Sequence, residues 1–383
     1  MKIRIIYCLS LMLVLGSVAV AQCGSGRPSV TASVNWPQYQ FDTCHTGYNP
    51  YESVLNVGNV GSLTVRWKAE GVSLFAPAVA NGMAYFGSPD GVYALNARTG
   101  ALVWMYPIDS GAQAPMVDGG NVYVSGEYGR SVYALNAKTG ALVWQYTAAS
   151  YVTTPTIAYG LAYVGSYDYK LYALDASTGV LRWTYTTGGE VTGVAVASGA
   201  YGPMVYFGSN DGYVYAANAL NGSSWWSYKT GGGVLAGPSV ANGAVYAGSR
   251  DGYLYAIDAN FGWLYWKYTT GGQYAGYSSP AIFNGVLYIG AQWPQGLYAL
   301  NAFTGEQLWY DQIYAFFVGP PVVANGVVYL GCQDNAVYVI DASTGAIFWQ
   351  RSGAYSSAVA TNSLMYISTY NGDGLYAFGL PNQ

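Results

Sequence analysis

Ala94-Leu95-Asn96-Ala97-Arg98-Thr99-Gly100-Ala101-Leu102-Val103-Trp104 decides the fold, because the phrase returns in six further copies. These begin at Ala134, Ala173, Ala216, Ala256, Ala299 and Val339 and end on Trp144, Trp183, Trp226, Trp266, Trp309 and Trp349. Every copy has Asn or Asp at its third position, Gly at its seventh and Trp at its eleventh. A fixed period of about 40 residues marks a propeller or a solenoid. Punctuation divides each unit into four strands. In the first, Ala76–Ala80 is strand A, Asn81-Gly82 a tight turn, Met83–Gly87 strand B, Pro89-Asp90-Gly91 a second turn, Val92–Asn96 strand C and Ala101–Tyr106 strand D. Asn-Gly and Asp-Gly supply the left-handed backbone that two-residue hairpins demand. Four antiparallel strands repeated radially make a propeller blade, so the fold class is all-β.

The two ends of the chain give the blade number. After Trp349, Ser357–Thr361, Leu364–Ser368 and Gly374–Phe378 read as strands A, B and C with no Trp-bearing strand D. Far upstream, Ser62–Trp67 is an orphan Trp-bearing strand with no strand A before it. Pairing Ser62–Trp67 with Gly374–Phe378 completes an eighth blade and closes the ring. The organisation expected is residues 1–21 as a signal peptide, 22–61 as a leader and 62–380 as an eight-bladed propeller.

The phrase Ala-x-Asp/Asn-x-x-Thr-Gly-x-x-x-Trp resembles the tryptophan-docking repeat of the pyrroloquinoline quinone (PQQ) propellers. That superfamily spans BamB-like assembly lipoproteins, which are not enzymes, and quinoprotein alcohol dehydrogenases. The segment Trp36–Pro50 is similar to the leader that precedes many of them. The resemblance implies that Trp67, Trp104, Trp144, Trp183, Trp226, Trp266, Trp309 and Trp349 are structural, each wedged against the neighbouring blade with its N–H bonded there. A large rigid aromatic with one donor suits that task.

The N-terminus reads as an export signal. Lys2 and Arg4 precede an apolar run from Ile5 to about Val20, and Ala19-Val20-Ala21 offers small residues for cleavage. The run is too short for a good membrane span, which needs roughly 18 apolar residues or more. An exported protein, periplasmic or extracellular, is expected. Cys23 follows closely, but Gln22 stands before it where lipid-attachment signals want Gly, Ala or Ser, so lipid anchoring is not the expectation. Processing leaves 12 basic against 18 acidic residues, a net of −6, which excludes a basic nucleic-acid surface. Charged residues are only 8% of the chain against 51 Gly and 40 Tyr, so hydroxyls and backbone must meet water. Cys23, Cys44 and Cys332 remain, an odd number that allows one internal bridge, Cys44 with either Cys23 or Cys332. With a single histidine, His45, and no CxxC pattern, a zinc or copper site is not expected.

Strand direction puts the D-to-A loops and B-to-C turns on one face. The A-to-B and C-to-D turns form the other, which reads as monotonous Asn-Gly and Thr-Gly. The D-to-A loops vary and carry the candidate binding residues Phe75, Tyr151, Glu190, Tyr274, Tyr277, Tyr314, Phe316, Phe317 and Tyr355. Variation on a rigid scaffold is where binding usually resides; the plainer reading is that these rings plug the central channel. A PQQ enzyme would need converging oxygen ligands for calcium and cations for the quinone carboxylates. The openings of strand A, from Ala76–Val79 round to Ser356–Val359, contain no acid and no base. Glu190 is the one carboxylate nearby. Asp90, Glu127, Arg130, Asp168, Lys170, Arg250, Asp251 and Asp334 lie at B-to-C turns, where such residues serve mainly as turn formers. His45 is expected to bond backbone rather than act as a base. No catalytic residue, metal or cofactor is assigned. The expectation is a monomeric, non-catalytic propeller of the cell envelope or exterior that binds a protein segment or a polymer such as a polysaccharide. The alternative is a PQQ- and calcium-dependent dehydrogenase of alcohols or polyols.

Overall fold

The computed structural model describes residues 22–23, 35–70, 75–269, 278–292, 294–314, 319–332, 336–353, 355–369 and 374–381, with only the backbone of residues 22–23, 292 and 355–357. Among them stand eight antiparallel sheets, each with the strand order A-B-C-D. Blade 1 is Ala78–Ala80, Met83–Ser88, Gly91–Asn96 and Leu102–Pro107. Blade 7 is Val322–Ala324, Val327–Gly331, Ala336–Asp341 and Ile347–Ser352. Strands A to C are mostly buried, whereas strand D alternates and faces outward, as the pattern along Leu102–Pro107 shows. The apolar cores lie between blades. One joins Ala78, Tyr85, Val92 and Trp104 of blade 1 to Val117, Val122 and Leu135 of blade 2.

The eighth blade forms as expected, with boundaries moved along the chain. Thr64–Ala69 pairs antiparallel with Leu375–Gly379, Thr64 opposite Gly379 and Trp67 opposite Ala377. Ser62 belongs instead to a short 3-10 turn, Val60–Ser62. In every blade the C–D ladder slips by one residue beside the docking Trp, as between Ala94 and Leu95 and between Val65 and Trp67. Such a bulge bends the edge strand and re-aims its side chains.

The repeat phrase explains itself at the junctions. Asn96 Oδ1 accepts from the amides of Arg98 and Thr99 at 3.0 Å, and Gly100 N donates to Asn96 O at 2.9 Å. The turn leaves the Ala97 carbonyl aimed at the preceding blade round the ring, blade 8. It accepts Trp67 Nε1 at 3.0 Å and, as the sequence did not suggest, Tyr366 OH at 3.1 Å. The same double acceptance recurs at Ala137, from Trp104 and Tyr85, and at Ala259, from Trp226 and Tyr206. Gly100 is constrained twice: its φ is +72°, and a Cβ there would stand 2.7 Å from the Trp67 ring. Trp349 departs from the expected role. It meets Phe378 edge-on at 5.3 Å, and among the described residues its Nε1 has no carbonyl partner, because blade 8 lacks the C-to-D turn.

The leader runs round the inside of the ring. Carbonyls of Trp36, Pro37, Thr43, Cys44, Thr46 and Gly47 accept the strand-A amides of Val79, Val117, Val196, Val240, Ile282 and Val323 at 2.6–2.8 Å. Gln38 exchanges side-chain hydrogen bonds with Ile157, and Asn49 Nδ2 reaches Ala360 O at 2.8 Å. All eight innermost strands are therefore tied to one short segment. Tyr48–Asn49 also adds a parallel strand to blade 7, and Gln22–Cys23 an antiparallel one to blade 4. Cys44 is disulfide-bonded, whereas Cys332 is buried and takes no part in a disulfide. This removes the Cys44–Cys332 pairing. The expected signal, residues 1–21, lies outside the described residues, and among those described no helix is long and apolar enough to cross a membrane.

Candidate functional site

Leader and strand-A openings together form a depression of about 610 Å³ at the centre of the D-to-A face. Its floor is Tyr39 and His45 from the leader; its walls include Gln113, Thr153, Thr154, Thr156, Thr192 and Ser279; its rim carries Phe75, Tyr128, Tyr151, Tyr167 and Glu127. Strand A opens each blade at the channel, so its first side chains must face inward. Tyr151 and Tyr167 meet edge-on at 6.1 Å, giving the rim a preformed aromatic corner.

His45 is buried, with Nε2 3.1 Å from Thr156 Oγ1. Thr156 spends its own proton on Val194 O at 2.7 Å, so its oxygen accepts from His45 and fixes the Nε2–H tautomer. Nδ1 is then a lone-pair acceptor with no partner, pressed towards Gly237. Burial pulls the imidazole down to about 4, which keeps it neutral at physiological pH. His45 thus bonds a side-chain hydroxyl and not the backbone. Asp42 is pushed up to about 6 by burial, against hydrogen bonds from the Thr46 amide at 3.0 Å and hydroxyl at 2.6 Å that favour its charge. Burial also raises Glu127 at the rim.

Of the residues expected from sequence, Phe75 and Tyr151 line the depression. Glu190 does not: Oε2 accepts from Asn210 Nδ2 at 2.8 Å, tying it to the B-to-C turn. Tyr314 is 70% exposed and stands away from the lining. Tyr274, Tyr277, Phe316 and Phe317 lie outside the described residues, as does the side chain of Tyr355. Sequence reasoning missed Tyr39, whose place in the leader gave no hint of the channel floor, and undervalued the threonines of strand A. Four of the B-to-C acids, all aspartates, hold the fold. Asp90 accepts Tyr93 OH at 2.6 Å, Asp168 accepts Tyr172 OH at 2.5 Å, and Asp211 and Asp251 also take backbone amides from the preceding loop at 2.7 Å. Asp334 is outside the described residues.

Among the described residues no group of three or more His, Cys, Asp or Glu could hold a metal. The depression contains one carboxylate, Glu127, and neither Lys nor Arg. A calcium ion wants six or more oxygens, several of them charged, and a quinone with carboxylates wants cations. These residues do not fit that pair.

A family model described as "Outer membrane protein assembly factor BamB" matches residues 64–152, 88–234, 210–292 and 275–379. No curated protein matches the sequence. Among solved structures, BamB from Moraxella catarrhalis is similar at TM-score 0.69 and 19% identity, over 82% of this chain and 99% of that one. The quinohemoprotein alcohol dehydrogenase ADHIIG from Pseudomonas putida HK5 is similar at TM-score 0.74 and 16% identity, over 91% and 80%. A europium-containing methanol dehydrogenase reaches 0.74 at 14% identity, over 91% and 98%. At such identities the likeness shows the fold alone.

Proposed function

The chain belongs to the PQQ-repeat propeller family described as outer membrane protein assembly factor BamB, and from that premise we propose a non-catalytic propeller of the cell envelope or exterior that binds an extended protein segment at its central depression. The observation that carries this reading is the chemistry of the lining. Threonine and serine hydroxyls, one glutamine and a rim of aromatic rings surround the opening, with a single carboxylate and no cation. Such a surface matches the amides and apolar side chains of an extended peptide, which needs alternating hydrogen bonds and shallow contacts rather than a charge clamp. No PQQ and no metal are needed for it, and the same lining argues against the dehydrogenase chemistry found elsewhere in this fold.

The test uses the mature chain and a displayed library of unstructured peptides, followed by affinity measurement of the selected sequences. We expect Tyr151→Ala to weaken selected peptides about tenfold, as truncating a rim aromatic does at a binding hot spot. Peptides that bind the Tyr151→Ala chain equally well would remove the depression as the site. Calcium-dependent PQQ binding, with reduction of an electron-accepting dye on adding an alcohol, would overturn the proposal in favour of a quinoprotein dehydrogenase.

A further inference from the structure

The A-to-B and C-to-D face also carries Tyr159 in blade 3 and the exposed Phe303 in blade 6, but its aromatic rings cluster in blades 4 and 5, where the other repeats act as controls. The position of Thr99 in blade 1, Thr in most other copies, is Phe261 in blade 5; that of Ala101 is Trp263; that of Val103 is Tyr265 in blade 5 and Trp225 in blade 4. Blade 4 also lengthens its first hairpin, Val191–Gly199 with Gly202–Ser209, and places Tyr201 at the tip. These rings are not there for the core. Trp263 is 67% exposed, Tyr201 and Tyr265 54%, Trp225 47% and Phe261 44%. Replacing Thr by Phe at 261 also forfeits the hydroxyl that accepts a turn amide in other copies, as Thr99 Oγ1 does from Ala101 N at 3.3 Å. Large exposed apolar patches on a monomer mark interaction surfaces.

The rings form one continuous, fixed platform. Tyr201 lies 5.2 Å from Trp225 and 6.0 Å from Phe261, and Phe261 stacks on Trp263 at 4.9 Å and 21°. Asn260 locks them together. Its carbonyl accepts Trp225 Nε1 at 2.6 Å and its Oδ1 accepts the Ala200 amide at 3.3 Å, joining hairpin tip, turn and edge strand. The platform is also uncharged. Asp258 is buried and occupied by the Tyr265 hydroxyl and by the amides of Asn260 and Phe261. The lysines of the two edge strands, Lys229 and Lys267, lie over Tyr213 and Tyr253 at the opposite end of those strands. The rings are tilted and stacked rather than coplanar, Tyr201 meeting Phe261 at 70°, and so give a stepped, rigid and neutral surface whose exposed indoles complement the C–H faces of pyranose units, while its lack of charge selects against anionic polymers and charged protein patches.

We infer that Tyr201, Trp225, Phe261 and Trp263 form a docking platform for an uncharged polysaccharide, on the face opposite the central depression and independent of it. The test is affinity electrophoresis of the mature chain in gels containing a mixed-linkage β-glucan, a galactomannan or alginate, with Trp263→Ala and the double variant Tyr201→Ala/Trp263→Ala alongside. Retardation by a neutral glycan is expected, the dissociation constant rising about tenfold for Trp263→Ala and the retardation vanishing in the double variant. Because the side chains are exposed, thermal unfolding and the circular dichroism of both variants should match the parent. Tyr151→Ala should retain full retardation, which separates this surface from the peptide site. Retardation by alginate alone, equal retardation of the double variant, no retardation by either neutral glycan, or a parent that elutes as a dimer and becomes monomeric only in the double variant would each overturn the inference.

Discussion

Blades 3 and 4 meet as the repeat dictates, while blades 7 and 8 meet without it. At the first junction the Ala219 carbonyl takes Trp183 Nε1 and Tyr163 OH, both at 3.1 Å. At the second, Trp349 and Tyr329 occupy the corresponding places, but strand C of blade 8 pairs with a strand D that comes from Thr64–Ala69, so no C-to-D turn presents such a carbonyl among the described residues. Tyr329 OH is buried with no partner, and burial, with the Glu52 carboxylate as a second cause, pushes its phenol far up. The leader covers the gap. Leu55 and Val60 share a core with Tyr329, and Glu52 accepts amides from Val54, Leu55 and, across to blade 8, Ser363 at 2.8–3.1 Å. A docking tryptophan is thus only half of the device. The other half is the turn that presents its acceptor, and where that turn is missing another segment must supply contacts without the hydrogen bonds.

The largest test strikes a regular junction. Gly222 has φ +72° and its Cβ would stand 2.6 Å from the Trp183 ring, so Gly222→Ala combines backbone strain with a clash. We expect a loss of about 3–5 kcal/mol in chemical denaturation, read together with altered tryptophan fluorescence. A loss below about 1 kcal/mol would mean that the junction tolerates looser docking than the geometry implies. Next, Glu52→Ala leaves three amides without their acceptor and should cost about 2–3 kcal/mol. Hydrogen exchange should rise first in Val327–Gly331 and Leu364–Thr369, at the irregular seam. A uniform rise round the ring would deny the leader its special part there.

Smaller effects separate the two tyrosines. Tyr206→Phe removes a hydrogen bond to Ala259 O at 3.0 Å and should cost about 1 kcal/mol, whereas Tyr329→Phe removes an unpaired buried hydroxyl and should be neutral or stabilising. Equal costs would break the contrast between the junctions. The smallest effect concerns pH and the leader that spans both kinds of junction. Asp42, raised to about 6, favours folding at acid pH and gives up that stability as pH climbs from about 4 through 6. His45, lowered to about 4, contributes stability above its ordinary value that is lost as pH falls from about 6.5 towards 4. The two slopes oppose each other over one window, so their combined contribution to the parent's stability should vary by no more than about 1 kcal/mol there. Asp42→Asn should expose the histidine slope, stability dropping towards pH 4. His45→Gln should show the reverse, and two parallel slopes would contradict the assignment.

Much of this architecture was legible because it is periodic. The docking Trp, the turn Asn or Asp and the left-handed Gly each recur at fixed offsets, and the orphan strand with Trp67 announced ring closure. The strand-B tyrosines recur just as faithfully, from Tyr85 to Tyr366, but a tyrosine in a strand reads as ordinary β propensity and hides its second role. The leader circuit was not legible at all, since it is made mostly by backbone carbonyls and has no period. The same holds for the site. Phe75 and Tyr151 were found from loop position, while the His45–Thr156 contact bridges 111 residues and nothing local encodes it. Glu190 and Tyr314 share the face but not the depression, because a short side-chain tether or the path of a loop decides which way they turn.

The circuit of residues 36–49 also dictates an order of events. This segment precedes every blade along the chain, yet its partners extend to Ala360, and the strand that follows it must find Gly379, 315 residues from Thr64. Neither can reach its final place until the last blade exists, so a segment that precedes all the blades is the last to settle. Blades should accumulate as an open, partly protected arc, and closure should then arrive as a single late step whose rate is governed by that long loop and not by any blade.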